Sequence, residues 1–246
     1  MDPISLKKIA APLLIAAAAL CCSYAKADIV LSGTRVIYNA KDKDETLRLD
    51  NKGNKPLLVQ TWVDRGQEDA DPGSLSVPFT ITPPVFRMEP KRGQTLRIMY
   101  NGSPLPADRE SVFWLNVLEV PPKLPDDKAG NTNLLQLAFK TRIKLFYRPE
   151  GLAGNAADAA KNIKWSISKE SQGVIIQAQN NSPYFISFSD VQYVVSGKKY
   201  KVKTNMLSPM SKASFIVDGL ASPQKGTLEY ISINDFGGSS QTTTQL

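Results

Sequence analysis

Asn133-Leu-Leu-Gln-Leu-Ala-Phe-Lys-Thr-Arg-Ile-Lys-Leu-Phe-Tyr147 reads as one extended ribbon without a glycine or proline to interrupt it. Strands of a β-sandwich usually run about five or six residues, so a segment of this length is unusual. Side chains alternate faces along a strand, so Leu135, Leu137 and Phe139 share one face while Gln136, Ala138 and Lys140 share the other. Taken as residues, the apolar set has two readings. It packs between two sheets as core, or it forms an uncovered edge that offers itself to another chain. Natural sheets protect such edges because they invite pairing with other chains.

Working outward, the same strand chemistry recurs. Ile29 to Tyr38, Glu45 to Asp50, Leu57 to Val63, Gln94 to Tyr100 and Val112 to Val120 are rich in β-branched and aromatic residues. Asn51-Lys-Gly-Asn54, Asp71-Pro-Gly73, Pro83-Pro84 and Asn101-Gly102 punctuate them with turn residues. After Tyr147 the pattern breaks at Arg148-Pro-Glu-Gly-Leu-Ala-Gly154, and the small, polar Asn155 to Lys161 completes a linker with room for one helical turn. Strands resume at Ile163 to Ser168, Val174 to Gln179, Tyr184 to Val195, Lys199 to Lys203, Ala213 to Val217 and Leu228 to Ile233. The polar tail, Gly237 to Leu246, carries no such pattern and is expected to be disordered. No stretch keeps a 3.6-residue period, and 17 prolines argue against long helices. Short strands with turns at this spacing predict an all-β chain of two sandwich domains, 28–149 and 150–246.

The first 27 residues stand outside that pattern. Lys7 and Lys8 precede an apolar run from Ile9 to Leu20, and Ala25-Lys26-Ala27 closes it. A basic start, a short apolar stretch and an A-x-A ending make a secretory leader, so residues 1–27 are expected to be a signal peptide cleaved after Ala27. The run is too short to span a bilayer, which takes about 18 or more apolar residues. A lipid anchor at Cys21 or Cys22 is the rival reading. It is disfavoured because bulky Leu20 or Cys21 stands where a small residue should precede the modified cysteine.

Both cysteines lie in that leader and the chain has no histidine. The mature protein therefore lacks disulfides, thiol nucleophiles, cysteine or histidine metal sites and the commonest general base. No phosphate-binding glycine loop is present either. These absences point away from catalysis: no enzyme activity, cofactor or metal is expected. Lys7, Lys8 and Lys26 against Asp2 make the leader +2, leaving +5 of the net +7 on the mature chain. Export and the absence of any recognition motif argue against nucleic acid as the partner of that charge.

The run Leu105-Pro-Ala-Asp-Arg-Glu-Ser-Val-Phe-Trp-Leu-Asn-Val-Leu-Glu-Val-Pro-Pro122 resembles the signature of periplasmic pilus-assembly chaperones. Thr34-Arg-Val-Ile-Tyr38 is similar to their first-strand motif, Arg142-Ile-Lys-Leu-Phe-Tyr-Arg-Pro149 to the end of their seventh strand, and Ile233-Asn-Asp-Phe-Gly237 to their C-terminal motif. The matches fall in order and span the mature chain. The short connection Pro121 to Asn133, with no long donor segment or nearby cysteine pair, resembles the short-loop branch.

The resemblance implies two immunoglobulin-like domains in a boomerang with a cleft between them, located in the periplasm. It implies that unfinished fimbrial subunits are the partners, with delivery to an outer-membrane usher, and leaves open whether the free protein caps its own edge as a homodimer. Arg35 and Lys144, with help from Thr34, match the cleft residues that anchor a subunit's C-terminal carboxylate. Leu135, Leu137 and Phe139 match the alternating donor residues that fill the subunit's open groove. Glu110, Arg148 and Asp235 match an interdomain charge cluster. Chaperone–pilin pairing is itself a standing example of β-strand addition. Two other classes fit less well: a fimbrial subunit, which is usually more acidic and often disulfide-bonded, and a periplasmic enzyme, which would need chemistry this chain lacks.

Overall fold

The computed structural model describes residues 28–122 and 137–246. The leader, Leu135 and most of the connection from Pro121 to Asn133 lie outside those residues. The first domain holds β1 (Ile29–Leu31), β2 (Arg35–Asn39), β3 (Glu45–Asn51), β4 (Leu57–Asp64), β5 (Phe79–Thr82), β6 (Val85–Met88), β7 (Gly93–Tyr100), β8 (Ser111–Val120) and β9 (Phe139–Arg148). They form two sheets, β1-β3-β7-β5 and β2-β9-β8-β4-β6. Leu49, Leu96, Ile98, Leu115 and Leu145 are sealed between the sheets. An aromatic group of Tyr38, Phe79, Tyr100, Phe113 and Tyr147 closes one end.

The second domain begins with the helix α1 (Ala156–Lys161) and continues through β10 (Lys164–Glu170), β11 (Gly173–Asn180), β12 (Ser187–Val195), β13 (Lys198–Lys203), β14 (Ser211–Val217), β15 (Thr227–Ile233) and β16 (Ser239–Gln245). The strand order is β10-β11-β14-β13-β12-β15-β16. Strand β13 joins the layers: Lys198 to Lys201 pair with β12, whereas Val202 and Lys203 pair with β14. A strand that switches partners in this way turns a corner between two packed sheets. Val174, Ile176, Tyr193, Leu207 and Leu228 form a second core separate from the first. Two immunoglobulin-like sandwiches, nearly all β, are therefore what the chain builds.

Four details depart from the sequence reading. The run Ile29 to Tyr38 is two strands. It pairs first with β3 and then, beyond Ser32-Gly33, crosses to lie parallel to β9 in the opposite sheet. Periodicity cannot register that crossing, because both halves alternate alike. Strands β5 and β6 flank Pro83-Pro84 and were not expected; at four residues each they are too short to show a period. The helix α1 is more than linker: Asn155 caps it, its side chain accepting from Asp158 N–H, and Ala159 and Ala160 are buried in the second core.

The last correction concerns the tail, expected to be disordered. Ser239 to Gln245 form β16, paired residue by residue with β15 from Ile233↔Ser239 to Thr227↔Gln245. The hydrogen bonds between Gly226 and Leu246 extend the pairing at its far end. Main-chain bonds to an existing strand need no apolar face, and threonine favours extended backbone, so a polar tail can still complete a sheet.

Candidate functional site

Strand β9 organises the site. Its odd-numbered residues face the first core at one end, where Ile143 and Leu145 are buried. Followed toward the N-terminus, the same face leaves the sandwich at Phe139, where the strand begins at 57% exposure, and Leu137, two residues ahead of the strand, is 54% exposed. On one side β9 pairs with β8 along its length, from Glu119↔Phe139 to Ser111↔Tyr147. On the other side β2 covers only Lys144 to Arg148. Among the described residues, no strand pairs with that second edge of β9 from Phe139 to Ile143. Large apolar side chains thus flank a row of unpaired main-chain groups.

The open stretch ends at two cations. Parallel pairing sets Arg35 of β2 directly beside Lys144 of β9, about 4.8 Å away in backbone spacing. Both reach across to the second domain: Arg35 Nη1 donates to the Ile233 carbonyl at 3.0 Å, and Lys144 Nζ donates to Ser187 Oγ at 2.9 Å. Among the described residues, neither forms an ion pair with a carboxylate, and Arg35 Nε is buried without a hydrogen-bond partner. Burial holds the Lys144 ammonium below the ordinary lysine range, and the charge of Arg35 lowers it further. Burial likewise lowers Arg35, opposed by the charges of Asp235 and Glu110. Two desolvated cations with open donors have the chemistry to hold an anion.

A separate cluster holds the two domains together. Arg148 bonds Glu110 at 2.7 Å and grips Asp235 with both terminal nitrogens, at 2.7 and 3.0 Å. Glu110 also accepts from Phe185 N–H at 2.8 Å, and its own N–H donates to the Pro183 carbonyl. Burial raises the Glu110 carboxyl, opposed chiefly by Arg148. Burial alone would lower Arg148, but its two carboxylate partners outweigh that and raise it. Thr34 is exposed beside the same junction, where a Cβ on Gly237 would collide with its hydroxyl.

Sequence reasoning missed several neighbours. Ser187, which receives Lys144, and the Ile233 carbonyl, which receives Arg35, carry no signal of their own in the sequence. Phe185 packs against Phe146 across the domain junction, with ring centroids 5.8 Å apart. Arg142 pairs with fully buried Asp64 at 2.5 Å and lies over the Trp114 ring. Burial pushes the Asp64 carboxyl up, but hydrogen bonds from Arg142, Asn116 and Gly66 hold it below the usual range. Trp114 lies inside the 105–122 signature and Arg142 inside the 142–149 motif, the available clue to both. Among the described residues no group of side chains could hold a metal ion, and no helix is long and apolar enough to cross a membrane.

Comparison with known proteins places these features in context. Residues 28–153 match the family model described as pili and flagellar-assembly chaperone, PapD N-terminal domain, and residues 158–244 match that of the pili assembly chaperone PapD, C-terminal domain. The probable fimbrial chaperone YadV of Escherichia coli (strain K12) is 50% identical over 222 residues, covering 89% of this chain and 90% of that protein. The chaperone protein FimB/FhaD of Bordetella pertussis is 42% identical over 219 residues, covering 87% and 86%. The crystal structure of the YadV chaperone superposes with a TM-score of 0.77 at 47% identity, covering 89% of this chain and all of that one. The SafB chaperone of Salmonella enterica, solved in complex with the SafA pilin, gives 0.75 at 30% identity, covering 91% and 99%.

Proposed function

This chain belongs to the pili-assembly chaperone family and is a fimbrial chaperone, and we propose that it captures unfinished immunoglobulin-like subunits by lending them β9 as a missing strand. The observation that carries this reading is the open edge of β9, apolar on one face and ending at Arg35 and Lys144. An incoming subunit strand pairs with the free main-chain groups from Phe139 to Ile143. Leu137 and Phe139, with Leu135 ahead of them, enter its groove. The subunit's terminal carboxylate bonds Arg35 and Lys144, with Thr34 at the rim. Anchoring one end fixes the register, which matters because a one-residue slip sends every side chain to the opposite face. The SafB–SafA complex is the precedent for a pilin partner.

In this reading Glu110, Arg148 and Asp235 set the angle between the domains, and with it the cleft. The chain works in the periplasm after cleavage behind Ala27, passes its cargo to an outer-membrane usher, and dimerises through its own edge when empty. It performs no covalent chemistry and needs no nucleotide, because folding of the subunit drives capture. Co-expression with a subunit lacking its final strand tests the reading. Wild-type protein should co-purify with the subunit, and both Arg35→Ala and Lys144→Glu should release it while remaining folded. Normal capture by a folded Lys144→Glu protein would refute the anchor.

A further inference from the structure

Glu119 is a buried acid that the proposed function leaves unused. It lies on β8, opposite Phe139, and is 2% exposed. One carboxylate oxygen accepts the Ile29 N–H at 3.2 Å, while the other, Oε1, has no hydrogen-bond partner among the described residues. A buried polar oxygen without a partner is destabilising, and native structures rarely leave one without reason. No lysine or arginine is paired with it among the described residues. The titratable group whose charge reaches it is Asp28, another acid, and its cross-strand neighbour Phe139 carries no charge. Burial, the largest effect, raises the Glu119 carboxyl, and Asp28 adds to the rise while the Ile29 N–H opposes it.

The next main-chain nitrogen ahead of that of Ile29 is that of Asp28. One residue of extended chain spans at most about 3.6 Å, so the nitrogen of Asp28 lies within reach of an acid already bonded to the nitrogen of Ile29. The segment is held in place on its other side, where Asp28 O accepts from Lys52 N–H at 2.6 Å and Ile29 pairs with Asn51. We infer that Glu119 is the receptor for the α-ammonium group that leader removal creates on Asp28. In the precursor that nitrogen is a neutral amide and offers the buried acid no charge. Hydrolysis of the Ala27–Asp28 bond gives the Ala27 carboxylate on the released leader and a protonated amine on Asp28, which pairs with Glu119. Processing thereby completes the first sandwich beside the base of the donor strand, and the precursor remains the less stable form.

The inference rests on the cleavage position proposed above, and the test separates the two. Mass spectrometry of the exported protein should show Asp28 first; a different first residue overturns the cleavage position and this pairing with it, leaving subunit capture untouched. The chain starting at Asp28 is then compared with one carrying Ser-Ala ahead of Asp28, each as wild type and as Glu119→Gln. The Asp28 amine should titrate at least about one unit above the ordinary 7.7–8.0, and at the ordinary value in Glu119→Gln. The two-residue extension should lower the Tm of the wild type and leave that of Glu119→Gln nearly unchanged. A raised folded pKa stabilises below the ordinary value and ceases to do so as pH rises through it, so the Tm gap should close above that pKa. An ordinary amine pKa in the wild type, or an equal Tm loss in both backgrounds, overturns the pairing. If Glu119→Gln does not fold, the wild-type titration decides alone.

Discussion

At the scale of single residues, the site is defined by charges whose partners differ in kind. Arg148 has two carboxylates, whereas Arg35 and Lys144 have only neutral acceptors among the described residues. The first set is a closed structural cluster. Removing one member of such a pair leaves an uncompensated charge and costs about 3–5 kcal/mol when buried. Arg148→Ala should therefore lower stability markedly in denaturant unfolding, toward the lower end of that range because Asp235 is partly exposed. Lys144→Glu should do the reverse, leaving the melting temperature close to wild type while abolishing capture.

The Lys144 ammonium also makes a pH prediction. Its folded pKa lies below the ordinary 10.5, with burial the main cause. The unfolded chain then holds the proton to higher pH than the folded one, so this residue makes the free protein gain stability as pH climbs toward 10.5. Carboxylate binding needs the charged form, so affinity for a peptide with a free C-terminus should fall before pH 10.5. Lys144→Arg should keep its affinity across that window. Equal pH dependence in the two proteins, measured by calorimetry, would remove Lys144 from the anchor.

At the scale of elements, β9 does two jobs along one face. Ile143 and Leu145 close the first core, and Leu137 and Phe139 continue the same stripe into solvent. Burying one large apolar side chain contributes about 1.5–3 kcal/mol, and every 1.4 kcal/mol is tenfold in affinity. Leu137→Asn should accordingly weaken capture about 10- to 100-fold with little change in melting temperature. Leu145→Asn should instead unfold the first domain. If Leu137→Asn lowered the melting temperature as Leu145→Asn does, Leu137 would belong to the core. The polar β16 makes the complementary point: truncation after Phe236 should destabilise the second domain, because it strips β15 of its outer hydrogen-bonding partner.

At the scale of the whole molecule, the cleft exists because three separate strands meet at the domain junction. The chain crosses between sheets after β1, which brings β2 beside β9, and Asp235, just beyond the end of β15, returns to grip Arg148. Gly237, with φ of 81°, packs where any side chain would strike Thr34. Gly237→Ala should weaken the junction through both that collision and the unfavourable φ. Loss of subunit capture with both cores intact would be the expected signature, read by near-ultraviolet circular dichroism together with co-purification.

The class of structure and the chemistry on offer were legible in the residues alone. Alternation of apolar residues marked the long strands, turn residues separated them, and the absence of histidine, and of cysteine beyond Cys22, pointed away from most catalysis. The motifs brought Arg35, Lys144, Glu110, Arg148 and Asp235 to notice. Only the tertiary structure decided which of these meet, and which part of the apolar stripe is covered. Parity says which way Phe139 and Leu145 point, yet they point alike, and only the extent of the facing sheet distinguishes them. Likewise, Arg35 stands beside Lys144 because the chain crosses between sheets at Ser32-Gly33, and the polar tail is a strand because β15 offers it a free edge. Local alternation fixes direction along a strand; coverage, pairing and register depend on neighbours distant in the chain.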